Sequence, residues 1–353
     1  MILLPTNPYE IKNMNIMSFH RMGTFALLTG ALMLLCNLWL PAADAAVISR
    51  TVCVGALTKT MKDGAPVTFW GFTDCGGGMM MSAGKVPGPT VEVGVGDTLN
   101  LTLNMMMAPH ESANSSYQGH TIHLHGADVP TGMDGVPETG ATLTGQTYTW
   151  IPTAEMAGSY MYHCHVHTVK HLDMGMYGAL IVRPKDAAGN TLYNQLTSNP
   201  QTAYDIEQSL VFSTVDPDYH TAEGDSTVFG NYNPRYFLIN GNEGAGSGDP
   251  AVTVSAAVNN KVALRLIGIH AVGGTFSIRD GAGTAQPFTV YVEDGRQWPV
   301  PETKTQLDIG SGQRFDIVFT TPATGGTAWY PQMTYKKLRG GAAYATTYTK
   351  VTF

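Results

Sequence analysis

Charged side chains are scarce in this sequence. Asp, Glu, Lys and Arg make up 13% of the 353 residues, against roughly 25% in an average soluble domain. The basic residues form no block, and the formal net charge is -7. Nucleic-acid binding relies on positive charge gathered on one face of a protein, so this composition argues against a nucleic-acid partner.

One long apolar run, TFALLTGALMLLCNLWL at residues 24–40, stands near the N-terminus. The basic residues His20 and Arg21 precede it, and the small-residue site ADA at 43–45 follows it. This order is typical of a secretory signal. We therefore expect residues 1–45 to be a signal peptide and the protein to be exported, either periplasmic or secreted. An uncleaved membrane anchor is the alternative, although the run is slightly short for a spanning helix.

Cysteine is also rare, with four residues in the chain. Cys36 lies within the signal peptide, so three cysteines remain after export. Cys53 and Cys75 flank a predicted strand hairpin, and in an oxidising compartment we expect them to form a disulfide. Such a bond stabilises the fold by about 3 kcal/mol. Cys164 is then left alone, in the middle of a group of histidines.

Glycine, proline, valine, threonine and tyrosine are frequent, which favours a turn-rich β protein. Residues 86–104 alternate apolar with polar or small side chains around a turn at Gly96-Asp97, and residues 251–269 repeat this scheme. Period-two alternation is the pattern of strands. The sequence therefore predicts an all-β fold.

An internal repeat divides the chain. GQTYTWIPT at 145–153 corresponds to GQRFDIVFT at 312–320, and GSYMYHCH at 158–165 corresponds to GTAWYPQM at 326–333. The period is too long for a solenoid, so it indicates a duplicated domain. We predict two β-sandwich domains, at 46–185 and 203–353, joined by the polar linker 186–202.

Seven of the eleven histidines lie in two clusters, HTIHLH at 120–125 and HCHVHTVKH at 163–171. On an extended strand, side chains two positions apart point to the same face. His123 would therefore pair with His125, and His163 with His165, while Cys164 points the opposite way. One strand could then serve two metal sites, one on each face.

On the Cys164 face, a thiolate, two imidazoles and a weak axial thioether make the ligand set of blue copper. His120 and His171 are the candidate imidazoles, and Met176 is the candidate axial ligand, with Met174 as the alternative. On the opposite face, four imidazoles without a carboxylate suit copper, with zinc as the competitor.

These motifs resemble the multicopper oxidase family of cupredoxin-fold proteins, which includes laccases and, more distantly, copper nitrite reductases. HTIHLHG is similar to the family's H-x-x-H-x-H motif, and YHCHVHTVKHLDMGM to its H-C-H motif with a following His and Gly-Met. KVPGPTVEVGVGDTL and HGADVPTGMDGVPETG also resemble family segments. The resemblance implies two tandem cupredoxin-like Greek-key β-sandwiches, copper as the cofactor and oxidoreductase activity.

The resemblance also implies a role for each matching residue. His123 would bind type 2 copper, and Asp134 would help to deliver protons to the oxygen-reducing site, unless Asp134-Gly135 is an ordinary turn. Because Cys164 is covalently bonded to two of the histidines, electrons would pass from type 1 copper along this backbone to the second site. The implied type 1 ligands are His120, Cys164, His171 and Met176, and the implied type 3 ligands are His125, His163 and His165.

The second domain departs from the family pattern. A complete trinuclear site needs four more histidines, but Phe276–Asp280 and Pro331–Met333 stand where they would be. We consider three ways to complete the site: two first domains that meet about a two-fold axis, a smaller site helped by His167 or a neighbour's His270, or a partner protein. His167 is alternatively a histidine at the rim. The spacing from Cys164 to His171 resembles a two-domain group that assembles as trimers, so we expect a homo-oligomer, either a trimer or a dimer.

We therefore expect an exported copper oxidoreductase that takes electrons from a small reductant or an electron-donor protein and reduces O2. The first alternative is an enzyme like the copper nitrite reductases. The second is a non-enzymatic blue-copper electron carrier or copper-handling protein. Copper stoichiometry and nitrite turnover distinguish these hypotheses.

Overall fold

A computed structural model describes residues 45–75, 83–106, 108–111, 113, 115, 117–140, 145–221 and 232–353. The predicted signal peptide lies outside the described residues, apart from its last position. Residues 44–353 form one compact unit. Among the described residues, no helix is long and apolar enough to cross a membrane.

The first eight strands form two four-stranded sheets. One sheet has the strand order β2-β1-β4-β6 and the other β3-β8-β7-β5. The strands are β1 Val47–Thr60, β2 Pro66–Asp74, β3 Gly88–Gly94, β4 Thr98–Asn104, β5 His123–His125, β6 Gln146–Trp150, β7 Gly158–His163 and β8 Tyr177–Arg183.

The remaining thirteen strands form a seven-stranded sheet, β11-β10-β9-β13-β19-β16-β17, and a six-stranded sheet, β12-β21-β20-β14-β15, in which β18 also pairs with β14. Their bounds are β9 Ile206–Val215, β10 Tyr236–Ile239, β11 Asn242–Glu243, β12 Val252–Ser255, β13 Lys261–Gly268, β14 Gly273–Arg279, β15 Ala285–Gln286, β16 Phe288–Glu293, β17 Arg296–Lys304, β18 Gln306–Ile309, β19 Arg314–Thr320, β20 Tyr330–Lys336 and β21 Ala343–Thr352.

Helices are few and short among the described residues. They are α1 Thr168–Asp173 and α2 Pro217–Thr221, with single 3-10 turns at Thr131–Met133, Pro137–Thr139, Ala154–Met156 and Pro200–Thr202. The prediction of an all-β fold with cupredoxin-like sandwiches is confirmed.

The two alternating segments of the sequence are strands, and each segment crosses from one sheet to the other at its turn. In the first, β3 pairs with β8 while β4 pairs with β1 and β6. In the second, β12 pairs with β21 while β13 pairs with β9 and β19. The repeat seen in the sequence is therefore a repeat of topology.

Each pair of sheets encloses its own apolar core. The first core includes Phe72, Leu101, Trp150 and Cys164, and the second includes a separate set of side chains around Phe276. Two packed sheets with alternate side chains turned inward form a sandwich. The domain boundaries near residues 185 and 203 stay a prediction, because contacts join both sandwiches into one unit.

Strand β7 is buried along its whole length because the second sandwich covers its outer face. Met161 packs with Val211, Ile267 and Ile269 of the second sandwich. Beside this contact, the Ser159 hydroxyl donates to Asp316, which also accepts a hydrogen bond from a buried arginine. The strand that leads into the histidines is thus held firmly on both faces.

Cys53 and Cys75 form a disulfide, as predicted, with their Cα atoms 5.3 Å apart. Cys53 lies in β1 and Cys75 directly follows its hairpin partner β2. Cys164 is a free, buried cysteine. It is therefore available as a thiolate ligand.

Candidate metal centres

Two strands bring the histidine motifs together. β5 pairs antiparallel with β7, and His123 lies directly opposite His163. Cys164 follows the last residue of β7 and turns into the first core, while His163 faces His123 and His125. The two sides of this strand therefore carry two separate groups of metal-binding side chains.

The first group, the Cys164 site, consists of His120, Cys164 and His171, and all three side chains are fully buried. The Cys164 Sγ lies 3.6 Å from His120 Nδ1 and 3.2 Å from His171 Nδ1. Ligands at zinc-like bond lengths, about 2.0 Å to nitrogen and about 2.3 Å to sulfur, would stand about 3.5 Å apart. The spacing and the donor set both fit a copper ion.

The far side of each ring is also occupied. His120 Nε2 donates a hydrogen bond of 2.7 Å to the Pro109 carbonyl, which leaves Nδ1 free for a metal. His171 Nε2 lies 3.4 Å from the Glu111 carboxylate, without the alignment of a hydrogen bond. Such outer contacts fix the orientation of a ligand ring.

Electrostatics favours a thiolate at this site. Burial disfavours the charged form of Cys164, but the adjacent His171 and His120 outweigh burial and hold the thiol pKa well below its usual range. Burial likewise opposes a charge on His171, yet the Cys164 thiolate and Glu111 raise the His171 pKa to about 9. Without metal, the site therefore holds a thiolate and an imidazolium, and metal binding would displace the ring proton.

Met176 lies close to Cys164 in the fold. Its carbonyl accepts a hydrogen bond from the Cys164 amide at 3.1 Å, and its side chain belongs to the same core as Cys164. The turn before it requires glycine, because Gly175 has φ +107° and a Cβ there would lie 2.4 Å from Val86. Met174 is buried outside that core. Among the two methionines, the packing favours Met176 as the axial candidate.

The second group, the histidine cluster, consists of His123, His125 and His163. His125 Nδ1 lies 3.2 Å from His163 Nε2, close to the separation of about 3.3 Å expected for two nitrogens on one metal ion. His163 Nδ1 donates to the Cys164 carbonyl at 2.9 Å, and His123 Nδ1 donates to the Asp134 carbonyl at 2.6 Å. These bonds leave Nε2 of both rings free to bind metal.

His165 stands at the edge of this cluster. Its ring centroid is 5.0 Å from that of His123 and 5.7 Å from that of His163, but its nitrogens lie outside the tight group of three. Thr121 holds its amide, and Thr168 contacts its Nδ1 at 3.2 Å. Nε2 is thus the nitrogen of His165 that faces away from these contacts.

The cluster is uncharged near neutral pH. Burial, assisted by the positive charge of Arg314, lowers the pKa of His125 to about 4. Burial also holds the pKa of His163 well below its usual range, and it lowers that of His123 against the opposing effect of Asp134. Neutral imidazole is the form that binds a metal.

Asp134 approaches the cluster through its backbone. Besides the carbonyl bond, its Oδ1 lies 3.3 Å from His123 Nδ1, and the carboxylate is 38% exposed. The Asp134-Gly135 turn packs tightly on the chain, since a Cβ on Gly135, at φ +70°, would meet the Ile122 carbonyl. The structure thus brings Asp134 to His123, and its part in proton delivery stays a prediction.

The two other histidines considered from the sequence lie elsewhere. His167 Nδ1 contacts Glu111 at 3.1 Å, and its ring stacks on Tyr117. His270 is fully buried in the second half of the chain, so it is not accessible to a neighbour's histidine cluster. Neither residue joins the cluster within this chain.

The buried His270 leads to a prediction about how folding stability depends on pH. Burial lowers its pKa from 6.5 to about 4, and its Nε2 has no hydrogen-bond partner among the described residues. Between these pH values the unfolded chain binds a proton that the folded chain does not. The contribution of His270 to stability should therefore fall as the pH drops from 6.5 to about 4, by about 3 kcal/mol in total, and stay constant at lower pH.

Urea unfolding of the wild type and of His270→Gln across this range measures the effect. The variant should show a shallower decline of the unfolding free energy, because its amide does not titrate. Parallel declines in the two proteins would contradict a neutral, buried His270.

Several residues of the sites were not identified from the sequence. Glu111 reaches the Cys164 site from a loop, and the ring centroids of Trp70 and His171 are 5.5 Å apart. Gly312 and Arg314 of the second sandwich lie against His125 and Gly126. No motif marks Glu111 or Trp70. Gly312 and Arg314 lie in the repeat segment 312–320, but the repeat does not indicate that they contact the site, because that contact depends on tertiary packing.

Comparison with known proteins agrees with this geometry. Residues 72–187 match the multicopper oxidase family. The copper-containing nitrite reductase of Neisseria meningitidis serogroup B is 26% identical over 262 residues, which cover 68% of this chain and 53% of that protein. Laccase-3 of Botryotinia fuckeliana is 27% identical over 258 residues, 69% of this chain and 50% of that protein. The chain thus spans about half the length of these relatives.

Among solved structures, the blue copper oxidase from Nitrosomonas europaea superposes with a TM-score of 0.63 and covers 86% of both chains. Its sequence identity is 22%, so this likeness concerns the fold. The family match, by contrast, includes both histidine motifs and all the predicted ligands. Residues 72–187 therefore resemble a multicopper oxidase domain.

Proposed function

We propose that this chain is a copper-dependent oxidoreductase that takes electrons singly from a reductant at the Cys164 site and delivers them to the histidine cluster, where O2 is reduced. Bound copper would supply the one-electron redox chemistry at both places. His120, Cys164, His171 and Met176 would hold the first ion. His123, His125 and His163 would hold the second site, with His165 at its edge.

The observation that carries this proposal is the direct connection between the two sites. Cys164 and His163 are neighbours in the chain, and the Cys164 carbonyl also accepts the hydrogen bond from His163 Nδ1. One peptide unit and one hydrogen bond therefore join the thiolate of the first site to an imidazole of the second. The buried strand β7 holds this link rigid, so the distance between the sites is fixed.

The histidine cluster is open on one side. The second sandwich meets it at Gly312 and Arg314, beside His125, and contributes no imidazole there, because its histidines are His220 and His270. His123, by contrast, keeps 17% of its side chain exposed. We infer that a second copy of this chain supplies further ligands from the His123 side, in a homo-oligomer. Export to the periplasm or the medium, expected from residues 1–45, belongs to the same proposal.

Nitrite reduction is the second candidate. Several relatives are copper-containing nitrite reductases, and the buried guanidinium of Arg314 stands near His125, with Nη2 lacking a hydrogen-bond partner among the described residues. A positive charge beside a metal cluster would favour an anionic acceptor such as nitrite. The acceptor therefore has to be tested directly.

The test supplies the copper-loaded chain with hydroquinone as the donor and compares two acceptors. We expect O2 uptake in air, and no nitrite consumption when O2 is removed. Nitrite consumption without O2 uptake would contradict the oxidase proposal and support the second candidate. If the chain consumes neither O2 nor nitrite although hydroquinone still reduces it, the result would indicate an electron carrier.

A further inference from the structure

One short segment lies against the outer nitrogen, Nε2, of both imidazoles of the Cys164 site. The Pro109 carbonyl accepts from His120 Nε2 at 2.7 Å, and Glu111 Oε1 lies 3.4 Å from His171 Nε2. Between them, His110 stacks on the ring of His120. Residues 109–111 therefore contact both imidazoles on the side of the site that faces away from Cys164.

Glu111 is buried at this position, with 4% of its side chain exposed. Its two oxygens have different partners. Oε2 binds Lys170 Nζ at 3.0 Å, whereas Oε1 faces His167 Nδ1 at 3.1 Å and His171 Nε2. A buried carboxylate needs partners of this kind to offset its loss of hydration. Lys170 thus occupies Oε2, and Oε1 is left to interact with His167 and His171.

His171 has no solvent contact of its own. Its ring is fully buried, and Nε2 makes no aligned hydrogen bond to any described residue. Glu111 is the acceptor within reach, so a small rotation of either side chain would complete the bond. A carboxylate bonded to the outer nitrogen of a metal-binding histidine fixes the ring and makes it a stronger electron donor.

We propose that Glu111 is a positioning residue of the Cys164 site, which holds His171 Nδ1 towards the metal and stabilises Cu(II) relative to Cu(I). Lys170 partly offsets the negative charge of Glu111, so the two residues act on the metal with opposite sign. This inference rests on the proposed copper site at Cys164. It adds a residue that the family motifs do not contain.

The experiment compares Glu111→Gln with the full copper-loaded wild type. Glutamine keeps the shape but removes the charge, so Cu(II) affinity should fall about 10- to 100-fold, with a smaller loss for Cu(I). The reduction potential should therefore rise, by about 59 mV for each factor of ten by which the loss of Cu(II) affinity exceeds the loss of Cu(I) affinity. Redox titration of the copper–thiolate absorption measures the potential.

Lys170→Met is the matched variant. It removes the counter-charge and leaves Glu111 to act fully on His171, so the potential should shift downwards. A purely structural role of the Glu111–Lys170 pair would change folding stability in both variants and leave the potential alone. The opposite signs of the two shifts distinguish these roles.

Unchanged Cu(II) affinity and potential in folded Glu111→Gln would overturn the inference. If that variant does not fold, Lys170→Met decides, because an unshifted or raised potential there also overturns it. The copper-loaded wild type shows whether the inference about Glu111 or the proposed function has failed. A wild-type chain that lacks the copper–thiolate absorption after copper loading contradicts the copper site itself.

Discussion

Cys164→Ser should abolish the blue absorption of the copper-loaded protein and reduce its donor-driven O2 uptake to background. Cys164 is the free cysteine of the site, and a serine hydroxyl remains protonated near neutral pH and binds copper poorly. The loss should exceed the roughly 10- to 100-fold effect of changing residues around the ligands. Absorption spectra and O2 uptake on the same sample measure it.

The variant must be shown to fold, since Cys164 is fully buried and a hydroxyl there costs about 1–3 kcal/mol. Thermal unfolding of the metal-free protein provides this check. Met174→Leu is the control in the same segment, because Met174 lies outside the core that contains Cys164. It should keep both the colour and the activity. A blue, active Cys164→Ser protein would contradict the assignment.

The double variant His123→Ala, His125→Ala should separate the two halves of the proposed reaction. The Cys164 site keeps all its ligands, so hydroquinone should still bleach the blue absorption at a rate close to that of the wild type. Return of the colour when O2 is added should be lost, because two of the three rings of the histidine cluster are gone. Stopped-flow absorption in both directions measures this difference.

The expected result is therefore complementary to that of Cys164→Ser. One variant loses the blue absorption, and the other keeps it but cannot pass electrons on. Reoxidation at the wild-type rate in the double variant would show that O2 reacts elsewhere. Loss of the blue absorption in the double variant would show that the two sites do not form independently.

The sequence was sufficient for the fold class and for the pairing of His123 with His125. Both follow from period-two alternation, which is a local property of strands. The same argument fails beyond His163, where β7 ends. His167 adopts a left-handed conformation with φ 45° at the start of α1. The chain thus leaves the extended conformation, so alternation alone does not place the residues after His163. His165 still lies at the edge of the histidine cluster, whereas His167 lies beside Glu111.

The residues that reach the sites from distant segments could not be predicted from the sequence. Glu111 contacts Lys170 across 59 positions of the chain, and Arg314 approaches His125 from the second sandwich. Neither contact follows a periodic pattern, because each depends on how loops and domains pack. The missing histidines of the second domain were predictable, since residue identity alone shows their absence.

Copper per chain in the purified, copper-loaded protein, with an absorption and an electron paramagnetic resonance spectrum of the same sample, tests the central claim most directly. The two-site account predicts more copper than the single ion that the Cys164 site can hold. It also predicts the blue absorption together with a second copper species. A single copper ion per chain, with the blue signal alone, would contradict the account and leave a protein that carries electrons or copper without reducing O2.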